Sequence, residues 1–488
     1  MIDTQAIRSK ILDLAMHGQL TEQLPEDGTA EELYQHIQAE KQRLIKEGKI
    51  KKEKPLPDII ENESTFDIPD NWKWVRLQEI TSNQTLNDGN WVLSDDMVDN
   101  GPVKLIQLGS IGDLKYKDKG FKYLTKQRFE ELNGKQIYPG YLLINRLVAD
   151  KMLLCIIPSI EGTLITAVDV CWVAPQKRCY DIKYLMYALS SSSIQKKVKE
   201  VGHGVTRFRI SKTNLINIPF PFPPLSEQAR IVNRIEYLFS ILDTIDELQK
   251  QYADNLTALK SKLIDAAIQG KFTEQLPEDG TAEELYEQIQ EEKQKLIKEG
   301  KIKKQKPLPE ISDDEIPFDI PDNWKWTRFA DILDVRDGTH DTPKYVTDGI
   351  PLVTSKNLRN GLIDFESAKL ISYEDAKQIN NRSRVDDGDI LLAMIGTIGN
   401  PVLVKKDREF SIKNIALFKP IDSNLLDMSF VLCYLKNEER VMQEKARGGL
   451  QPFVSLKILR TSIIPLPPLA EQKRIVQKLD EILPLCEN

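Results

Sequence analysis

Thr21 to Tyr34, TEQLPEDGTAEELY, recurs letter for letter at Thr273 to Tyr286, 252 positions further along a chain of 488 residues. The offset holds through LIKEGKIKK at Leu44 and Leu296, KPLP at Lys54 and Lys306, and FDIPDNWKW at Phe66 and Phe318, then stops at Val75 and Thr327. A second match, at an offset of 244, links PFPPLSEQARIVNRIEYLF (Pro221 to Phe239) with PLPPLAEQKRIVQKLDEIL (Pro465 to Leu483). The segment after the first of these, ALKSKLIDAAIQG at Ala258 to Gly270, matches AIRSKILDLAMHG at Ala6 to Gly18, so the repeated unit is circular. Solenoid repeats run ~20 to 50 residues; a unit this long is domain-sized, with a repeated frame and divergent inserts. Only Ile245 to Tyr252 lack a counterpart, a gap of roughly 12 Å at ~1.5 Å per helical residue. The N- and C-termini are therefore expected to lie near each other and jointly rebuild one helix.

The intact copy of that helix starts after Pro223 and Pro224. Apolar residues then fall at Ile231, Ile235, Leu238, Leu242, Ile245, Tyr252, Leu256, Leu259 and Leu263, in steps of four and three, with Gln249 as the polar member. This is a heptad seam, the pattern two helices bury by packing knobs into holes. The broken copy keeps the phase at Ile475, Leu479, Ile482 and Cys486, then at Thr4, Ile7 and Ile11. The reading predicts two antiparallel helices of about 40 residues, each roughly 60 Å long, forming a rod that holds two globular domains apart. An ordinary amphipathic surface helix is the competing reading, and such helices are seldom so long or so regular.

Length suits this plan, since 488 residues exceed one core and accommodate two domains of ~150 residues plus helices. No apolar run approaches the ~18 to 20 residues of a membrane span and no charged-then-apolar leader opens the chain, so a soluble cytoplasmic protein is expected. The five cysteines form no CxxC pair, which signals neither a zinc site nor a disulfide framework.

A net charge of -7 conceals a segregation. Residues 19–72 hold 13 acidic and 7 basic side chains and residues 271–323 hold 15 and 8, whereas residues 101–217 hold 9 acidic and 19 basic. The acid is in the frame and the base is in the first variable region. The second variable region, residues 336–463, has 19 basic against 17 acidic, so its case rests on local clusters. A locally basic face suits phosphate binding, which releases condensed counterions; solvated lysines without a partner remain the alternative.

Within each frame, Thr29 with Glu32, and Thr281 with Glu284, predict a capping box. A helix should follow, with Leu33, Ile37, Leu44 and Ile45 on one side and a stop at Gly48. Trp72 and Trp74 read as an edge strand that fixes the chain to the next domain rather than as base-stacking residues. The variable regions read as mixed α and β. Strands are expected at residues 103–108, 141–146, 152–157, 168–173, 351–354, 389–395, 402–404 and 415–418, with helices over 182–201 and 426–446. After each helix comes a glycine-containing loop, GHGVTRFRIS at Gly202 to Ser211 and RGGLQPFVS at Arg447 to Ser455. Arg207, Arg209, Arg447 and Gln451 carry forked or paired hydrogen-bonding groups of the kind that read guanine or adenine edges; a helix-ending turn with incidental polar residues is the competing reading. The further DNA-contact candidates are Lys104, Gln107, Ser110, Arg146, Lys151 and Thr206 in the first region, and Lys344, Thr354, Ser355, Lys356, Asn357, Arg359, Arg382 and Arg384 in the second.

Catalytic motifs are missing from the sequence. It has no GxxxxGK[ST], no GxGxxG between strand and helix, no HExxH, and no [DN]PP[YF], since Phe222 to Leu225 reads FPPL. Four scattered histidines have no ligand spacing, and Asp386, Asp387 and Asp389 cluster without a lysine at nuclease spacing. The chain reads as non-catalytic and metal-free.

The circular frame, the PLPPLxEQxxIV helix start, the GKIKK…KPLP connector and the IPxxWxW segment resemble the specificity subunit of type I restriction-modification systems over essentially the whole chain. The resemblance implies an α+β fold in which two pseudo-symmetric target recognition domains are separated by two long antiparallel coiled-coil helices. Residues 1–20 would complete the distal conserved region, 21–65 and 273–317 would be helical connectors, and 66–222 and 318–466 the recognition domains. Residues 223–272 would be the central conserved helix and 467–488 the C-terminal one. It further implies double-stranded DNA as ligand, two methyltransferase subunits using S-adenosylmethionine, and restriction subunits using ATP and Mg, with no cofactor in this chain. Each recognition domain would read half of a bipartite site and the rod would set the spacer. A methylation-only specificity subunit and a non-catalytic coiled-coil scaffold are the alternatives. The family pattern departs at Asn488, where the second helical arm is shorter than the first, through truncation or because Met1 to Gly18 completes it.

Overall fold

The computed structural model describes residues 1–54, 56–60, 64, 66–204, 207–396, 398–444 and 453–486. It divides into two compact units, Met1–Gln249 and Lys250–Asn488. The division falls inside a 44-residue central helix, Leu225–Ile268, roughly 66 Å long.

In the first unit an N-terminal helix, Thr4–Met16, runs antiparallel along the first half of the central helix. Thr4 Oγ1 donates to Asp246 at 2.5 Å, and Arg8 reaches Asp243 at 2.8 Å and Asp246 at 3.1 Å. Further along, Ile11, Leu12, Ala15 and Met16 share one core with Ile231, Ile235 and Leu242. In the second unit a C-terminal helix, Leu469–Ile482, buries Ile475 and Leu479 against Ala267, with Ile264 packed beside them. Each half of the central helix thus takes its partner from a different end of the chain.

The seam is buried at Ile231, Ile235 and Leu242 and half-buried at Leu238, Ile245, Leu256, Leu263 and Ile482. It does not hold throughout: Tyr252 is 56% exposed, Leu259 45% and Ile7 38%. A strict heptad drifts ~20° per repeat around a helix of 3.6 residues per turn unless supercoiling cancels it. Leu259 stands four heptads beyond Ile231, a drift of about 80°, and Ile7 is its equivalent in the other copy.

Both frames fold alike. The predicted capping boxes form, Glu32 N donating to Thr29 Oγ1 at 3.2 Å and Glu284 N to Thr281 Oγ1 at 3.3 Å. The helices they start, Ala30–Lys46 and Ala282–Lys298, are followed at residues 48 and 300 by glycines with φ near +70°. Trp72 is buried and donates Nε1–H to Glu227 at 2.8 Å, and Glu227 also accepts from Gln23 at 2.9 Å and Thr21 at 3.1 Å. The second copy repeats this with Trp324, Gln275 and Thr273 on Glu471, each at 2.8 Å. Both carboxylates are fully buried, so the glutamate of LSEQ and of LAEQ is the shared acceptor of its frame. One helical turn on, Arg230 forks onto Asp27 at 2.5 and 2.6 Å and Arg474 onto Asp279 at 2.5 and 2.9 Å. The Arg230 guanidinium lowers the Asp27 carboxyl to about 2, and Arg474 lowers that of Asp279.

The variable regions, without sequence identity, repeat one sheet plan. In the first unit β1 (Lys73–Arg76) precedes β2 (Leu86–Asp88), β3 (Val103–Ile106), β4 (Phe121–Leu124), β5 (Leu142–Asn145), β6 (Leu154–Ile156), β7 (Thr163–Thr166), β8 (Val170–Val173) and β9 (Pro219–Phe222). β1 and β9 close the domain as an antiparallel pair, β2-β8-β5-β6 form one sheet, and β4-β3-β7 another in which β3 and β7 are parallel. The second unit has β10 (Lys325–Arg328), β11 (Leu333–Asp337), β12 (Tyr345–Val346), β13 (Ile350–Thr354), β14 (Leu358–Arg359), β15 (Leu362–Ile363), β16 (Lys369–Ile371), β17 (Ile390–Ala393), β18 (Gly399–Leu403), β19 (Ser411–Lys413), β20 (Ile415–Pro420) and β21 (Ile463–Leu466). β10 and β21 close it, β11-β20-β17-β18 match the first sheet, and β12-β16-β13-β19 match the second, with β13 parallel to β19. Gly89 and Gly338 occupy equivalent places where a Cβ would run into the backbone oxygens of Ala167 and Ile412.

The two long helices expected in these regions are each broken. Residues 182–201 form Ile182–Ser190 and Ser192–Val201, because Ser191 is extended and turns its hydroxyl onto the Ala188 carbonyl at 2.7 Å. The second begins at Met428 rather than Leu426, because the Asp427 side chain caps it through Ser429 N and Phe430 N, and it divides into Met428–Asn437 and Glu439–Glu444.

Candidate nucleic-acid interface

In the second unit the parallel β13/β19 pair brings Leu352 opposite Ser411 and Thr354 opposite Lys413. Beyond the strand ends lies a concavity of ≈470 Å³, lined by Tyr345, Leu352, Thr354, Ser355, Lys356, Asn357, Arg359, Ser367, Lys369, Ile395, Gly396, Lys413 and Asn414. Four of these are cations and none is a carboxylate. Elsewhere in this region several opposite charges pair: Arg382 with Asp337, Arg384 with Glu409 at 3.4 Å, Lys406 with Glu409 at 3.0 Å, Lys419 with Asp389 at 2.5 Å and Arg336 with Asp334 at 2.5 Å. Among the described residues, Lys356, Arg359, Lys369 and Lys413 make no ion pair. Lys344, Lys377 and Lys405 are likewise exposed without an ion pair among the described residues, so what sets these four cations apart is that they stand around one concavity.

The fold positions these groups by short-range chemistry. Asn357 is buried; its Oδ1 accepts from Thr354 N at 2.9 Å and Oγ1 at 2.8 Å, while Nδ2 donates to Asp364 O at 3.2 Å and Ser367 Oγ at 3.0 Å. It shapes the turn and has no free group for a ligand. Ser355 Oγ donates to the Asn414 carbonyl at 3.3 Å, and Arg359 Nε to the Lys356 carbonyl at 2.9 Å. Asn414 sits at φ +54°, its Oδ1 against His340 Nδ1 at 2.9 Å. The Lys369 ammonium stands 4.4 Å above the Tyr345 ring.

Thr354, Ser355, Lys356, Asn357 and Arg359, picked from sequence, thus converge on one place. Lys344 is exposed near it, outside the lining. Arg382 and Arg384 are exposed and engaged by carboxylates. Arg447 and Gln451 lie outside the described residues, as does Thr206. In the first unit Arg207 and Arg209 are exposed, Arg209 3.9 Å from Asp169. Lys151 pairs with Asp113 at 2.6 Å, and Lys104 donates to the Glu161 carbonyl at 2.8 Å. Gln107 is half-buried and Ser110 fully buried. Arg146 is buried, donating to Ile210 O at 3.2 Å and Val168 O at 2.6 Å with Asp88 at 3.3 Å; its fork ties strands together instead of facing solvent.

Sequence reasoning passed over Tyr345, Lys369, Lys413 and Asn414, and in the first unit Lys117, Lys119 and Lys122, which are exposed and free of ion pairs among the described residues. The latter had a signal in the alternating basic run LKYKDKGFK. Burial pushes the thiols of Cys155 and Cys171 up to about 12, which removes them as nucleophiles near neutral pH.

The family described as type I restriction modification DNA specificity domain matches residues 159–253 and 321–486. The EcoAI type I restriction enzyme specificity subunit of Escherichia coli is 29% identical over 99% of this chain and 89% of its own length. The EcoEI specificity subunit of Escherichia coli is 27% identical over the same shares of the two chains. A solved structure concerned with complex assembly and conformational transition of the type I R-M system superposes with a TM-score of 0.56 at 18% identity, over 86% of this chain and 92% of that one; at that identity the likeness is one of fold.

Proposed function

This chain belongs to the type I restriction-modification DNA specificity family, and from that premise we propose that it is the DNA-reading subunit of a type I complex whose two variable domains each recognise one half of a split site. The observation that carries the reading is the carboxylate-free ring of four cations at the strand ends of the second unit. Phosphate neutralisation needs such a spot, and base reading needs side chains held near it by a rigid scaffold. Frame and reader have separate duties: a frame that folds twice alike can meet the same partner twice, while two unlike readers on one sheet plan meet different bases. The number of residues in the central helix would then set the unread spacer, as geometry sets half-site spacing in other paired readers.

In this proposal two methyltransferase subunits carry S-adenosylmethionine and methylate adenine, restriction subunits supply ATP- and Mg-dependent cleavage, and this chain performs no bond-making step. No helix among the described residues is long and apolar enough to cross a membrane, which accords with work on cytoplasmic DNA. Four cations around one hollow without a carboxylate in its lining favour a phosphate-bearing ligand over a scaffold that binds protein alone. The test is co-expression with the neighbouring methyltransferase, followed by single-molecule sequencing of host DNA with the gene present and deleted. A split, asymmetric methylated motif that disappears on deletion is expected. Motifs unchanged by deletion, together with a purified complex that binds all duplexes equally, would refute it.

A further inference from the structure

The cation ring of the second unit has a shape that duplex phosphates do not require. A backbone tracked along a groove is served by charges strung over an open surface, and base edges are read by side chains that protrude into it. Here Lys356, Arg359, Lys369 and Lys413 surround a single hollow of ≈470 Å³, within the ~300 to 1,000 Å³ of sites that enclose one small molecule. Its wall is not uniformly polar. Tyr345, 45% exposed and carrying the Lys369 ammonium over one side of its ring, and the buried Leu352 offer an aromatic ring and an apolar floor beside the charges. Asn414 adds an amide Nδ2 with no partner among the described residues, its Oδ1 being held by His340.

Cations, an aromatic face and an amide donor around one concavity are the complement of one nucleotide: a phosphate, a base plane and a base edge. We infer that this hollow receives a single unstacked nucleotide of the bound DNA, with the phosphate held by the lysines and Arg359 and the base against Tyr345. The inference rests on the DNA-reading function proposed above. Unstacking a base is unfavourable, and stacking on an aromatic side chain offsets part of that cost. Since a mismatched or flexible step unstacks more cheaply than a stiff one, the second unit would discriminate half-sites at a position where no side chain enters a groove.

The test uses the full chain assembled with its methyltransferase on duplexes carrying a fluorescent base analogue, scanned through the half-site of the second domain, with anisotropy reporting affinity. Any base that the methyltransferase itself extrudes serves as an internal control. At one other position fluorescence should rise severalfold on binding. Tyr345→Ala should abolish that rise, leave the control unchanged, and weaken binding roughly 5- to 150-fold, the equivalent of ~1 to 3 kcal/mol. Lys413→Ala, which leaves the ring in place, should weaken binding while keeping part of the signal. Flat fluorescence at every position with tight, sequence-specific anisotropy would overturn the nucleotide pocket and leave DNA reading intact. Loss of sequence-specific binding in the unmodified complex would overturn both. A free deoxynucleoside monophosphate that binds more tightly than the duplex would overturn the assignment to a DNA strand and make the hollow an effector site.

Discussion

Replacing Glu227 by glutamine changes one oxygen into an NH₂ group in a site built from donors. Trp72 Nε1 can only donate; it lies 2.8 Å from one carboxylate oxygen, while Gln23 at 2.9 Å and Thr21 at 3.1 Å point at the other. The amide can satisfy one side and must oppose the other. Thr21 can turn its hydroxyl, but Gln23 can invert only by giving up its bonds to Gly18 O at 3.0 Å and Thr21 O at 3.1 Å. Hydrogen bonds to a charged acceptor contribute ~1.5 to 3 kcal/mol and neutral ones ~0.5 to 1.5, so three bonds each weakened by about 1 give a cost near 3 kcal/mol. Glu471→Gln removes the same acceptor from Trp324, Gln275 and Thr273 and should cost the same within about 1 kcal/mol. Urea unfolding followed by tryptophan fluorescence reads each variant. Pairing Glu227→Gln with Trp72→Phe closes a double-mutant cycle, for which the coupling should exceed about 1 kcal/mol. A cost below about 0.5 kcal/mol for either substitution, or copies that differ by more than about 1, would refute the claim that the repeated EQ pair fixes both frames in one way.

Three further outcomes are expected. The Asp27 carboxyl, 3% exposed and held at about 2 by Arg230, lies below its unfolded value near 4, so its stabilisation is complete above that value and lost as pH falls from about 4 to 2. Since Arg230 is one-third exposed, the effect should be about 1 to 2 kcal/mol, and Asp27→Asn should abolish this part of the acid profile. Leu242→Asp places a charge in a buried seam and should destabilise by more than about 3 kcal/mol, whereas Leu259→Asp on an exposed stretch should stay within about 0.5 kcal/mol by thermal unfolding. Removing both Lys356 and Lys413 should lower the slope of log binding constant against log salt by about 1 to 2; an unchanged slope would remove them from the phosphate-contact set.

The frame was legible because it is written twice: Thr29 with Glu32, and Gly48, stand in one local context in both copies and need no distant information, whereas Trp72, read as part of an edge strand, precedes β1 and takes its partner Glu227 from 155 residues away. The strands expected at 103–108 and 415–418 from short apolar runs form as Val103–Ile106 and Ile415–Pro420. What stayed hidden depended on pairing across the chain. Lys413 belongs to the cavity because β19 lies parallel to β13 about 60 residues earlier, and nothing beside Lys413 announces that neighbour. Arg146 reads as an exposed fork in sequence, yet three partners at long range hold it inside. Of the seam residues, Ile231, Ile235 and Leu242 are buried and Leu259 is exposed, because a heptad pattern carries phase and not the supercoil that would keep it buried.

The pairing of Thr4 with Asp246 joins positions 242 residues apart. At ~5 to 20 residues per second, the ribosome takes roughly 12 to 48 s to deliver the second after the first. Ile11, Leu12, Ala15 and Met16 can meet the helices Ile182–Ser190 and Ser192–Val201 before that interval ends, but their contact with Ile231, Ile235 and Leu242 must wait for the central helix. The second unit reverses the order, for Ile475 and Leu479 are made well after Ala267, and that core can close only once they have emerged. Nascent chains of this protein should therefore stay open to proteases and chaperones at the first of these cores until the central helix is made, and at the second until Ile475 and Leu479 follow it.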